Sequence, residues 1–243
     1  MLHKGLIAVF FVSIFFSASS QEVATDYRNT GFLDFNGYYD TREFSTLTLN
    51  MLANLKNKFQ YFSLTNFEGA KHSSDLGQYY TEQNVRWSIK KNGPFILSTQ
   101  WVSKSGAKND NLKFGLMVNT HKLSFVKDLF TRLNFSYALS LYTIQFNEGS
   151  PTKLFTQLEH VYKFYPFSKR LKKRAYIAGF ADQSFVKRDD GSVNTEWVTE
   201  HQLGIEMLKN FYAIVEYRIN DFLSSGNYGL GYGLEYKINF AGL

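Results

Sequence analysis

The sequence predicts an all-β fold, a 12-stranded antiparallel transmembrane β-barrel, and three observations carry that prediction. Apolar and polar residues alternate with period 2 along the chain after residue 21, the pattern of half-buried strands. Aromatic residues make up 18 % of the chain, with 24 Phe and 16 Tyr against only 3 Pro, a mix that favours strands over helices and over disorder. The connections also sort by strand end, one set short and basic, the other mostly longer and rich in Ser, Gly, Asn and Asp.

At the N-terminus Lys4 precedes an apolar run, Gly5 to Phe16, and small residues follow at Ala18, Ser19 and Ser20. This is the layout of an export signal over residues 1–20, cleaved near Ser20/Gln21, with the barrel filling 21–243. The run is short for a helical span, so a retained N-terminal anchor is the weaker alternative. There is no cysteine, which removes disulfides, zinc-thiolate sites and cysteine nucleophiles. The net charge is +6, of which Lys4 supplies one, and the basic residues are not gathered on one face as nucleic-acid binding requires. Their densest cluster, Ser168 to Arg174, reads as a solvated turn, with anionic lipid head groups as its alternative partner.

Strands are expected near 30–40, 44–54, 58–69, 79–90, 94–104, 111–119, 131–145, 153–166, 174–188, 195–208, 211–221 and 228–240, with no helix after the leader. An even number places both chain ends on one side, the periplasm for a bacterial outer-membrane barrel. The turns expected there are Asn54 to Lys58, Lys90 to Gly93, Ser168 to Arg174 and Lys209-Asn210. The outer loops are Lys71 to Gln78, Ser105 to Asn111, Phe146 to Thr152, Asp189 to Asn194 and Ser224 to Asn227. Two connections depart from the pattern: the outer one around Asp40 to Glu43 is short, and His121 to Phe130 is long for a periplasmic turn.

Residue types on the two faces indicate which one meets lipid. In the last strand Leu230, Tyr232, Leu234, Tyr236, Ile238 and Phe240 oppose Gly231, Gly233, Glu235, Lys237 and Asn239. Elsewhere the polar face carries Glu82, Arg86, Lys113, Glu159, Lys163, Asp182, Glu200, Glu206, Glu216 and Arg218, too many charges for a dry core. A barrel in lipid turns them into a wet lumen, whereas a soluble sandwich or lipocalin would turn them to solvent. The leader, the loop asymmetry and the aromatics at strand ends favour the membrane. Twelve strands enclose a lumen wider than an eight-stranded barrel's and narrower than a general porin's, suited to small polar solutes that touch the wall.

Four stretches, FQYFSLTNFEG (Phe59 to Gly69), EQNVRWSI (Glu82 to Ile89), AYIAGFADQSF (Ala175 to Phe185) and GYGLEYKINF (Gly231 to Phe240), resemble the Tsx-type nucleoside-specific channels of the outer membrane. The resemblance implies a passive channel for small polar solutes, nucleosides among them, that meet Tyr61, Ser63, Thr65 and Phe67 on the third strand and Glu82, Asn84 and Arg86 on the fourth. Asn84 stands where the family pattern has an acid. On the ninth strand the alternation leaves Tyr176, Phe180 and Asp182 on the lumen side. Rings there can stack on a base, and the charged groups can bond ribose hydroxyls, or the charges can form a structural network alone. A lipid-modifying enzyme and a structural or receptor barrel are the competing classes. His72 beside Ser73 and Ser74, and the outward His160 and His201, show no nucleophile, base and orienting group at a common spacing, so no catalytic residue is assigned. No metal-ligand spacing and no cofactor motif is read; the expected partners are a small solute and outer-membrane lipids, not nucleic acid.

Overall fold

Neighbouring alternating strands share one set of hydrogen bonds, and here the last of them pairs with the first. The computed structural model describes residues 30–69, 76–106, 110–148, 153–187, 190–221 and 226–241. The leader, the tips of the expected outer loops and the residues His72, Ser73 and Ser74 lie outside the described residues.

Twelve strands run in order: β1 (Thr30–Asp40), β2 (Phe44–Asn54), β3 (Phe59–Glu68), β4 (Gln78–Ser88), β5 (Phe95–Lys104), β6 (Asn111–Asn119), β7 (Phe135–Asn147), β8 (Lys153–Phe164), β9 (Ala175–Lys187), β10 (Val193–Leu208), β11 (Phe211–Asn220) and β12 (Tyr228–Ala241). Each pairs antiparallel with the next, and β1 closes on β12 from Thr30↔Ala241 to Asp40↔Gly231. Closure leaves no open strand edge, a condition for backbone in lipid.

One segment departs from expectation. Residues after β6 form a 3-10 turn, Thr120–Lys122, and then a helix, α1 (Ser124–Leu133), so β7 starts at Phe135 rather than near 131. Phe125, Val126, Leu129, Phe130 and Leu133 recur at helical spacing, which overrides the strand reading. Asn134, in the left-handed conformation at φ 51°, ends the helix, its N–H reaching the carbonyls of Phe130 and Thr131. The basic cluster between β8 and β9 contains a single helical turn, α2 (Ser168–Leu171).

The two faces of the wall differ as the residue types demand. Val85, Leu97, Leu203, Val215, Leu234 and Ile238 stand exposed on the exterior, while Asn84, Gln100, Glu159, Glu216 and Glu235 are buried inside. A soluble barrel has the opposite arrangement, and an apolar exterior of this extent is not kept in water by a monomer. The barrel therefore crosses a membrane with its strands.

Candidate functional site: the barrel lumen

The registers carry one set of positions round the inner wall: Asp34 faces Asn50 and Lys237, Leu64 faces Glu82, and Glu159 faces Asp182. Three side-chain clusters follow one another along the axis.

At the outer-loop end Arg218 of β11 is the hub. Its guanidinium lies 2.8 Å from Glu200, 2.9 Å from Glu216 and 3.3 Å from Glu68, and it donates to the Tyr38 hydroxyl. Glu68 belongs to β3, so this one cation ties strands that are not neighbours in the wall. Gly231 lets the Tyr38 ring lie against β12, since a Cβ there would come within 2.7 Å of it.

At mid-height polar side chains link strands around the lumen. The Gln100 amide donates to Glu82 and to Glu159, each at 3.1 Å, linking β4, β5 and β8. Lys113 donates to Gln157 at 2.6 Å, Tyr142 and Ser98 share a bond at 3.2 Å, and Arg86 reaches Gln60 at 3.3 Å while covering the Phe62 ring. Asn84 and Tyr142 are 0 % exposed and Gln100 1 %, so side chains fill this level. Several polar atoms here still lack a hydrogen-bond partner among the described residues: Oδ1 of Asp182, Oε1 of Gln100 and both polar atoms of Asn84.

Towards the end carrying both chain ends, the Tyr176 hydroxyl donates to Glu235, and Lys163 sits 4.1 Å above the Tyr176 ring. Lys237 lies 3.8 Å from Asp34 and 3.8 Å above the Phe32 ring. Gly204 clears the space that the Tyr176 ring occupies.

Glu82, Asn84, Arg86, Tyr176, Phe180 and Asp182 all face this lumen, by register with the buried set above. Tyr61, Ser63, Thr65 and Phe67 do not, and their assignment to the lumen is corrected. The 2.7 Å bond from Thr48 to Asn66 and the contact of Arg86 with Gln60 turn the even positions of β3 inward, leaving the odd ones outside. The outward polar groups satisfy one another: Tyr61 donates to Gln83, Gln83 to Thr81 at 2.6 Å, and Thr65 shares a 2.8 Å bond with Thr81. Tyr176 faces inward but is buried, with Lys163 over its ring and Tyr212 edge-on at 5.6 Å, so no face is free to stack on a solute. Phe180 is only half-buried.

Gln100 and Gln157 lie on the same strand phase as Lys104 and Glu159, and Tyr142 on a strand without charged residues; uncharged themselves, they carry no mark in the sequence. Outside, His160 and His201 bond the hydroxyls of Tyr137 at 2.6 Å and Tyr162 at 2.9 Å. Among the described residues no group of three or more ligating side chains is placed to hold a metal ion.

No family model and no curated protein matches the chain. Among solved structures, the NanC porin aligns with a TM-score of 0.56 over 85 % of this chain and 100 % of that one, at 10 % identity. The fold is that of a membrane porin. The KdgM porin, also solved in complex with disordered oligogalacturonate, aligns with a TM-score of 0.48 at 16 % identity, over 84 % of this chain and 98 % of that one.

Proposed function

We propose that the barrel is a passive outer-membrane channel for small polar solutes, neutral or cationic, held narrow at mid-height by its own side chains. The observation that carries this reading is the chemistry of the lumen. Asp34, Glu68, Glu82, Glu159, Asp182, Glu200, Glu216 and Glu235 line it against Arg86, Lys113, Lys163, Arg218 and Lys237. Acids outnumber bases on a wall backed by lipid, which focuses a negative potential along the path and lowers the barrier for cations. Anionic solutes such as sugar acids meet a wall of their own sign. A residue 1–20 leader supports export, and the short turns after β2, β4 and β10 at the end holding both chain ends support an outer-membrane orientation with that end in the periplasm.

Planar solutes, nucleosides among them, suit Phe180, whose half-buried ring lies on the same strand face as Asp182 and beside Glu200. Stacking of this kind contributes about 1–3 kcal/mol per base. Single-channel recording of the refolded protein tests both levels of the reading. Nucleosides are expected to interrupt the wild-type current, and Phe180→Ala to weaken that block about tenfold while the open current holds or rises. Insensitivity to every nucleoside would remove that substrate class, and absence of current would remove the channel.

A further inference from the structure

We propose that the end of the barrel carrying both chain ends holds an anionic phospholipid by its phosphate, in a cleft between α1 and the β8–β9 connection. The proposal rests on the barrel lying in a bilayer and not on what crosses the lumen.

α1 uses its apolar residues in two ways. Val126 and Phe130 turn towards the barrel, Phe130 edge-on to Phe135 at 5.1 Å. Phe125, Leu129 and Leu133, spaced four apart, instead form an exposed stripe; Phe125 is 82 % and Leu129 54 % exposed. Lys127 occupies the opposite side of the helix, and Asp128 and Arg132 flank the stripe. A short helix with such a division lies in the head-group region with its apolar stripe towards the acyl chains. Phe167 and Leu171, beside the basic cluster, are exposed as well.

Between these two elements is a cleft of about 270 Å³. Its walls join the Phe130 and Phe135 rings to a polar side made by Lys173, Tyr165, His121 and Ser136. The Lys173 ammonium lies 5.5 Å above the Tyr165 ring and has no carboxylate partner among the described residues. Burial raises the Tyr165 phenol above its ordinary value, so it stays a neutral donor. His121 Nδ1 lies 3.2 Å from the Tyr137 carbonyl, which fixes the proton on that nitrogen.

Ser136 donates to the Lys163 carbonyl, so the Lys173 ammonium and the Tyr165 hydroxyl are what call for a phosphate, and the adjoining rings call for the carbons of a lipid rather than for a free ion. Lys169, Arg170 and Lys172 continue the positive charge around the turn, which complements a head group of net negative charge.

Native mass spectrometry of the full chain in detergent, titrated with short-chain phosphatidylglycerol, phosphatidylcholine of equal chain length and inorganic phosphate, tests the proposal. One phosphatidylglycerol should be retained, more tightly than phosphatidylcholine. Lys173→Ala should weaken it about fivefold, Lys173→Arg should keep it, and Lys56→Ala on the β2–β3 turn should change nothing. A heat-shifted band on gels establishes that each variant is a folded barrel. Unaltered binding by Lys173→Ala, equal loss in Lys56→Ala, or displacement by inorganic phosphate at the lipid's own concentration would overturn it.

Discussion

Arg218 and Asp182 are charged groups turned into the same barrel, and they are partnered in opposite ways. Arg218 is surrounded: three carboxylates and the Tyr38 hydroxyl meet its two terminal nitrogens, and they come from β1, β3, β10 and β11, while its Nε has no partner among the described residues. Asp182 stands with Glu159 and Glu82 around Gln100 and Lys113, and one of its oxygens has no partner among the described residues. The first cluster is a brace, since one cation holds three carboxylates from three strands. The second retains acceptor capacity at a level that side chains fill, which is what the proposed channel would offer a moving cation in place of its water.

The comparison is broken most directly at the brace. Arg218→Gln leaves Glu68, Glu200 and Glu216 facing one another without their cation, and the loss of folding stability should be about 3–5 kcal/mol, measured by denaturant unfolding in micelles. A loss below about 1 kcal/mol, the range of exposed pairs, would mean the cluster is ordinary lumen charge. The wall's exterior supplies the next effect. Leu234→Arg points a charge at lipid and should cost about 2–4 kcal/mol on insertion into vesicles. Its neighbour Glu235 faces the lumen, where Glu235→Gln keeps an acceptor for Tyr176 and should cost far less. Equal yields for the two variants would reverse the faces.

How far the sequence shows this depends on the strand. β2 and β6 begin and end where their alternation does, because turn residues and apolar positions change together there. β3 misleads. Phe62 and Leu64 face the lumen while Ser63 and Thr65 face out, so polarity along this strand runs against orientation. Registers with β2 and β4 set the facing, and Thr81 and Gln83 satisfy the outward hydroxyls, which no single-strand pattern reveals. α1 has helical spacing over only ten residues next to a strand, and its last turn was absorbed into the start of β7. The inward charges of the lumen were legible from alternation, but their partnerships were not. Arg218 meets a carboxylate 150 positions away, a contact that exists only once the barrel closes.

Cation passage is the centre of the proposed function, and the reversal potential of the refolded protein across a KCl gradient measures it directly. The wild type should reverse on the cation side, and Glu82→Gln with Asp182→Asn should move the potential towards zero while current persists. A wild-type reversal at zero or on the anion side, or a double variant as cation-selective as the wild type, would contradict the assignment.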